Sequence, residues 1–221
     1  MKLGIIGGAG PLASALFYET IVKECYQQGF AIPEIILINF PFTRGLTEEE
    51  GKLNDVVLQN ELRYCMTVLQ THGVEAVFLA CNTLHRFLPI FSASIPFLSL
   101  PRLVMHVAVK NGHKRLLILG TQSTRKFKIY HNAEISAVYP CFEDQCILEG
   151  VIDRVLEGRM SQMDSDYISE LVARSAKDAT FDGVVLGCTD LPVLHHHFPI
   201  KSEFTLYDSI KIPAKHYRSF Q

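Results

Sequence analysis

The sequence predicts an α/β fold made of two similar lobes, each a parallel sheet flanked by helices, related by a pseudo-twofold axis. Short apolar runs alternate with helical segments along the 221 residues, an order typical of parallel sheets with helices on both faces. The pattern then restarts, because RLLILG at 115–120 resembles the opening run KLGIIG at 2–7. This restart indicates an internal duplication and therefore two lobes.

The first half of the chain predicts strands that alternate with helices. Pro11 suits a first helical turn, and Gly29 closes that helix. Asn54 is the predicted N-cap of the next helix, and Gly73 is its predicted stop. The predicted strands are 2–7, 34–39, 75–80 and 96–100, and the predicted helices are 11–28, 54–73 and 101–111.

The second half repeats this order. Each half has a strand that ends in glycine and a later strand that ends in cysteine. Gly7 and Cys81 are 74 positions apart, and their counterparts Gly120 and Cys188 are 68 apart. The predicted strands are 115–120, 182–187 and 203–206, and the predicted helical regions are 123–136, 143–178 and a last helix from Asp208.

The division into lobes follows from this repeat. We expect an N-terminal lobe of residues 1–98 plus 207–221 and a C-terminal lobe of residues 99–206. No low-complexity segment or linker separates them, so the lobes should pack tightly.

Composition excludes several classes of partner. A formal net charge of −2 gives no electrostatic reason to expect nucleic acid or an anionic membrane surface. The apolar start MKLGIIGGAG breaks into glycines, so we expect no signal peptide, and no run approaches the roughly 20 apolar residues of a membrane span. The expected location is the cytoplasm, where thiols remain reduced.

Two of the six cysteines come directly after buried strands. Cys81 follows AVFLA, Cys188 follows VVLG, and a helix start follows each. Ligands bind beyond the carboxyl ends of parallel strands, so the duplication should place both thiols in the cleft between the lobes. A helix N-terminus also stabilises the thiolate form of cysteine.

Two thiols on opposite sides of one carbon suit the inversion of a stereocentre. One thiolate removes a proton, and the opposite thiol returns one to the other face. A hydrolase instead needs one nucleophile beside a base, and a zinc site needs several clustered ligands. The pattern therefore favours a two-base proton transfer over a hydrolase or a zinc site.

The neighbouring residues suit a small acidic substrate. Hydroxyl and amide side chains, with helix-start N–H groups, can hold a carboxylate, and glycine-rich loops let the backbone approach a ligand closely. Arg44, after the second strand, suits a bidentate pair with a second carboxylate. The candidate substrate-binding residues are Gly8, Ala9, Arg44, Asn82, Thr83, Thr121, Thr124 and Thr189.

The sequence resembles the aspartate/glutamate racemase family, the cofactor-independent amino-acid racemases. The glycine-rich start followed by Pro11 resembles the aspartate racemase branch in particular. The CNT and GCT signatures are specific when they occur together in this order. The matching stretches, which span nearly the whole chain, are GIIGGAGPLAS (4–14), ACNTLH (80–85), LGTQST (119–124), LGCTDLPVL (186–194) and LYDSIKIPAKH (206–216).

The resemblance implies two α/β lobes, no pyridoxal phosphate, no metal and a homodimer. By residue match it implies that Cys81 and Cys188 are the acid/base pair and that Arg44 lies near the substrate side chain. The residues matched to contacts with the α-carboxylate or amino group are Asn82, Thr83, Thr121 and Thr189.

This chain departs from the family pattern at three points. Ala9 stands where the family often has methionine, and Asp190 stands where it has glutamate after GCT. A lysine that some aspartate racemases carry in the helical region near residue 156 has no clear match. These departures bear on the substrate more than on the type of reaction.

Three further motifs have competing interpretations. Residues 8–13 fit the G-x-G-x-x-A dinucleotide fingerprint, but the second strand ends in INFPF, without the acidic residue that such a site requires. His85 lies four residues after Cys81 and could pair with it, although a histidine that orders the loop is favoured. The histidines at 195–197 resemble a metal tract but would point in different directions, which favours a solvated turn.

The sequence thus predicts racemisation of an acidic amino acid, with aspartate first and glutamate second. One alternative is a related isomerase or decarboxylase of small dicarboxylates that uses a single nucleophilic cysteine. A second alternative is an amino-acid-binding protein that kept the cleft but lost turnover.

Overall fold

The computed structural model describes residues 1–43, 51–90 and 95–220, and within them the strands form two four-stranded parallel sheets. The first sheet has the order β2-β1-β3-β4 and the second the order β6-β5-β7-β8. Both sheets therefore place their strands in the same sequence of second, first, third and fourth, which confirms the internal repeat. The strands are β1 (Lys2–Gly7), β2 (Glu34–Asn39), β3 (Ala76–Leu79), β4 (Phe97–Leu98), β5 (Arg115–Leu119), β6 (Ser136–Val138), β7 (Gly183–Leu186) and β8 (Thr205–Asp208).

Helices connect successive strands, as parallel pairing requires. Pro11 occupies the first position of the first helix, as expected. The helices are α1 (Pro11–Gln28), α2 (Gly51–Thr71), α3 (Leu100–Lys110), α4 (Gln122–Lys126), α5 (Phe142–Leu156), α6 (Gln162–Asp178), α7 (Asp190–His197) and α8 (Lys211–His216), with 3₁₀ segments at Thr83–Ile90 and Tyr217–Phe220.

The predicted helix at 123–136 exists but is much shorter than predicted. Helix α4 ends at Lys126, and Lys128 then adopts the left-handed conformation with φ 48°, which a continuing helix does not allow. The side chain of Asn132 accepts a hydrogen bond from the backbone N–H of Glu134 at 2.7 Å, forming a turn that leads into β6.

The predicted helical region at 143–178 is confirmed and consists of two helices. Gly158 has φ 70°, which ends α5. Ser161 and Asp164 then form a reciprocal capping box that starts α6.

One apolar core joins the two lobes. Successive residues of a strand point to opposite faces of its sheet, and one face of each sheet enters this shared core, together with side chains of α1, α5, α6 and α7. The opposite faces pack in two separate cores, one for each lobe. The shared core includes Leu3 and Ile5 of β1, Phe78 of β3, Leu117 and Leu119 of β5, and Val184 and Leu186 of β7.

The last strand and the last helix pack against different elements. Strand β8 pairs with β7, whereas α8 packs against α1 and α3. The boundaries of the lobes, 1–98 plus 207–221 and 99–206, remain a prediction. In the part of the chain that the structure describes, no helix has both the length and the apolar character needed to cross a lipid bilayer.

Candidate active site

The two strand-end cysteines occupy equivalent positions in the two sheets. Strand β3 ends at Leu79 and β7 at Leu186, so each cysteine comes two residues later. The residue before each cysteine extends the strand pairing by one bond: Ala80 N–H donates to the Ile6 carbonyl at 2.8 Å, and Gly187 N–H donates to the Leu119 carbonyl at 2.6 Å. The backbones that carry Cys81 and Cys188 are thus held in the same way.

A hydrogen bond crosses directly between the residues that flank the cysteines. Asn82 Nδ2 donates to the carbonyl oxygen of Gly187 at 3.0 Å. Asn82 follows Cys81, and Gly187 precedes Cys188. The carboxyl ends of β3 and β7 therefore meet, as expected for a site between the lobes.

Two further contacts between the lobes repeat this symmetry. The residue two positions after each cysteine meets the loop that follows the first strand of the other lobe. The hydroxyls of Thr83 and Thr121 lie 3.1 Å apart. On the other side, Asp190 lies so close to Gly10 that a Cβ added to Gly10 would be 2.7 Å from Asp190 Oδ1. A side chain at position 10 could be accommodated only if the Asp190 carboxylate moved.

Cys188 lies in an environment that favours its neutral thiol. Its side chain is buried, and Sγ donates to Asp190 Oδ2 at 3.3 Å. Burial raises the pKa of Cys188 well above its usual value, and the negative charge of Asp190 raises it further. The charge of Cys81 acts in the same direction, so the two cysteines influence each other electrostatically.

His85 is bound on both ring nitrogens to the backbone. Nδ1 lies 2.9 Å from the Cys81 carbonyl, and Nε2 accepts from Leu100 N–H at 3.2 Å. These partners fix the tautomer that carries its proton on Nδ1. Burial lowers the pKa of His85 to about 4, so the ring is neutral at pH 7. This geometry supports the loop-ordering interpretation over a Cys–His nucleophilic pair.

Asn82 is a buried side chain with one unfilled acceptor. It is 2% exposed, and its second amide hydrogen goes to Ser209 Oγ at 3.2 Å. Its Oδ1 has no hydrogen-bond partner among the described residues. A buried acceptor without a partner costs about 1–3 kcal/mol, which a bound ligand with a suitable donor would recover.

The predicted threonines divide into two groups. Thr121 caps α4 by accepting from Thr124 N–H at 3.2 Å, and its hydroxyl also lies 3.2 Å from that of Thr124. Together with Thr83 they form a row of three hydroxyls at the meeting of the lobes. Thr189 is buried at the start of α7, and its side chain makes no capping hydrogen bond there.

Gly8 and Ala9, the predicted substrate contacts in the loop after β1, are both engaged with other parts of the protein. Gly8 has φ 104°, and a Cβ there would clash with the Phe40 carbonyl oxygen. Its N–H donates to Ser14 Oγ at 3.1 Å, so that donor already has a partner. Ala9 packs against the apolar core of the first lobe. Arg44 lies outside the described residues.

The dinucleotide interpretation of this loop conflicts with its surroundings. Gly10, the second glycine of the fingerprint, faces the carboxylate of Asp190. A pyrophosphate at that position would meet a negative charge in a buried setting.

The histidine tract does not form a metal site. His195 Nδ1 accepts from Ile200 N–H at 3.0 Å, and the three histidines form the last turn of α7, where His196 and His197 are exposed to solvent, as expected. Across residues 1–43, 51–90 and 95–220, no group of three or more histidine, cysteine, aspartate or glutamate side chains is arranged to hold a metal ion.

Sequence reasoning missed three residues that the structure brings to the site. Asp190 enters the sequence analysis only as a departure from the family pattern, although its position two residues after Cys188 is a usable signal. Gly10 was considered only within a glycine-rich loop. Ser209 lies in the matched stretch LYDSIKIPAKH, but nothing in the sequence connects it with Asn82.

Comparisons with known proteins agree with this architecture. The Asp/Glu/Hydantoin racemase family model matches residues 6–216. The structure of Picrophilus torridus aspartate racemase is similar over 99% of this chain and 94% of its own, with 25% identity and a TM-score of 0.78. That of an aspartate racemase homologue from Pyrococcus horikoshii OT3 is similar over 99% and 98%, with 23% identity and a TM-score of 0.79.

A glutamate racemase from Histophilus somni is 22% identical over 161 residues. The match takes in 70% of this chain but only 60% of the length of that relative. The family model, by contrast, extends over nearly the whole chain and includes both cysteines. The chain therefore belongs to the Asp/Glu/hydantoin racemase family.

Proposed function

We propose that this protein racemises an acidic amino acid, aspartate first and glutamate second, with Cys81 and Cys188 as its acid/base pair and without a cofactor. The observation that carries the proposal is the hydrogen bond from Asn82 to Gly187, which joins the neighbours of the two thiols across the lobes. Two matched thiols in one site fit proton transfer at both faces of a single carbon better than they fit a nucleophile with a base.

Each turnover moves one proton off the α-carbon and another onto it. The Cys81 thiolate takes the α-proton, the C–H electron pair stays on carbon, and the Cys188 thiol donates its proton to the opposite face. After this step Cys81 carries the proton and Cys188 is the thiolate. This form of the enzyme converts the opposite enantiomer, with Cys188 as the base and Cys81 as the donor. Cys188 suits the role of donor in the resting enzyme because its environment favours the thiol.

Asp190 would favour return of the proton to Cys188. Its carboxylate accepts the hydrogen bond from the Cys188 thiol. Once that thiol has lost its proton, two negative groups lie side by side in a buried site. Their repulsion raises the free energy of the Cys188 thiolate and makes it a stronger base for the reverse reaction.

The carbanion has no electron-sink cofactor in this scheme, so hydrogen-bond donors must stabilise it in a site from which water is excluded. The hydroxyls of Thr83, Thr121 and Thr189 and the first N–H groups of α7 suit the α-carboxylate. Asn82 Oδ1 suits the α-ammonium group because it is a buried acceptor. We propose Arg44 as the partner of the side-chain carboxylate.

We also propose that the protein forms a homodimer, in keeping with its family, and that it acts in the cytoplasm, where its thiols remain reduced.

The experiment is incubation of the protein with each enantiomer of aspartate and glutamate in D₂O, with the α-proton signal and the enantiomeric ratio followed by NMR and chiral chromatography. We expect α-deuteration and racemisation from both enantiomers, faster with aspartate. Loss of carbon dioxide would instead indicate a decarboxylase. Tight binding of aspartate without exchange would indicate a binding protein, and either result would contradict the proposal.

A further inference from the structure

We infer that Ser209 is a positioning residue of this site, which holds the Asn82 amide so that Asn82 Oδ1 faces the ammonium group of the substrate. This inference rests on the proposed function, because it assigns a role to Ser209 in binding an amino acid. Ser209 itself need not touch the substrate.

Ser209 is held rigidly at the carboxyl end of β8. It is fully buried. The preceding residue, Asp208, accepts hydrogen bonds from the N–H groups of Ile210 and Lys211, each at 2.7 Å, and so fixes the backbone on both sides of Ser209. A side chain as short as serine therefore has its hydroxyl placed by the fold.

The hydrogen bonds of Asn82 leave a single atom for a ligand. Its Nδ2 carries two hydrogens, one of which goes to the Gly187 carbonyl at 3.0 Å and the other to Ser209 Oγ at 3.2 Å. An amide nitrogen only donates, so Ser209 must be the acceptor. With both hydrogens engaged, the plane of the amide is fixed, and Oδ1 is the unfilled acceptor.

The chemistry of this acceptor selects its partner. A carbonyl oxygen attracts a donor and repels the oxygens of a carboxylate, so an ammonium group fits it and a carboxylate does not. A hydrogen bond to a charged group is also stronger than one between neutral groups. Without Ser209 Oγ, one hydrogen of the Asn82 amide would be buried without an acceptor. The amide would then rotate to find another acceptor, and Oδ1 would no longer face the ammonium group.

The test compares a ligand that has an ammonium group with one that lacks it. Aspartate and succinate carry the same two carboxylates, but only aspartate has the amine. We expect Ser209→Ala to raise the KM for both enantiomers of aspartate by roughly tenfold and to leave the inhibition constant of succinate within about twofold. If the substitution only damaged the fold, it would weaken the binding of aspartate and of succinate by similar factors.

Ser165→Ala is the matched control. Ser165 is as fully buried as Ser209, and its hydroxyl has no hydrogen-bond partner among the described residues, but it lies on α6, a helix that carries none of the candidate site residues. We expect this variant to leave both constants unchanged. In an Asn82→Ala background, Ser209→Ala should have no further effect on the KM, because Ser209 acts through Asn82.

The outcomes separate the two proposals. If the wild-type protein is active and Ser209→Ala behaves like Ser165→Ala, the role of Ser209 is wrong while the proposed function stands. The same conclusion follows if Ser209→Ala weakens the binding of succinate as much as that of aspartate. A wild-type protein that neither racemises nor binds aspartate overturns the proposed function, and with it the role of Ser209. If Ser209→Ala fails to fold, Ser209→Cys keeps the volume with a weak acceptor and is expected to raise the aspartate KM selectively.

Discussion

Asn82 Nδ2 lies 3.0 Å from the carbonyl oxygen of Gly187, so one hydrogen bond joins the residue after Cys81 to the residue before Cys188. The relative positions of the two thiols are therefore set by the folded chain before any substrate binds. This preorganisation suits a reaction in which two groups must approach one carbon from opposite sides.

Asp190→Asn is expected to lower the pKa of Cys188. The charge of Asp190 raises that pKa, second only to burial, so a neutral amide at this position favours the thiolate. The rate of alkylation of Cys188 by iodoacetamide at pH 8, followed by peptide mass spectrometry, should rise by about tenfold for each unit that the pKa falls.

The exposed Cys146 gives an internal control for this measurement, because its alkylation in the same sample should not change. An alkylation rate at Cys188 that stays constant or falls would show that Asp190 does not control the protonation of this thiol.

Gly10→Ala is expected to reduce racemisation with little loss of stability. The new methyl group would meet Asp190 Oδ1 at 2.7 Å and push the carboxylate away from Cys188. Gly10 has φ −127°, which alanine adopts freely, so the backbone is not strained. We expect kcat to fall by roughly tenfold or more while the free energy of unfolding changes by about 1 kcal/mol or less.

Gly150→Ala serves as the comparison, since Gly150 lies within α5 and a methyl group there would come no closer than 3.5 Å to Arg154. Wild-type kcat in Gly10→Ala would mean that the position of Asp190 does not matter for turnover.

His85→Gln is expected to flatten the dependence of stability on pH. The pKa of His85 is about 4 in the folded protein and about 6.5 in an unfolded chain, so the unfolded state binds the proton first as the pH falls. Above pH 6.5 the histidine is neutral in both states and does not change the free energy of unfolding. Between pH 6.5 and 4 it lowers that free energy progressively. At pH 5 the loss is roughly 2 kcal/mol.

Urea unfolding of wild type and His85→Gln at pH 7 and pH 5 measures this effect. Between pH 7 and pH 5, the free energy of unfolding should fall by more in wild type than in His85→Gln. Equal losses would mean that His85 is not held neutral by the fold.

The sequence predicted much of the fold because buried strands are marked locally. Strand β1 was placed at its observed bounds, since its apolar run ends in glycines. Strand β6 was missed because it has only three residues, each at least partly exposed, and so lacks an apolar pattern. The predicted length of helix α4 exceeds the observed one because the left-handed conformation of Lys128 has no signal in that stretch.

Only part of the candidate site was predictable, because local sequence patterns mark some of its residues and not others. The strand-end positions of Cys81 and Cys188 follow from local pattern, and the duplication indicates that they meet. The contacts of Asp190 with Gly10 and of Ser209 with Asn82 join segments far apart in the sequence. Such pairs depend on how the two lobes pack, which no single stretch encodes.

The most direct test of the two-thiol account is net interconversion of aspartate enantiomers by Cys81→Ser and by Cys188→Ser, each purified and assayed beside the exposed-site control Cys146→Ser. The account predicts that either single change at the site lowers racemisation by roughly 10²-fold or more, whereas the control keeps the wild-type rate. Wild-type interconversion in either of the first two variants would contradict it.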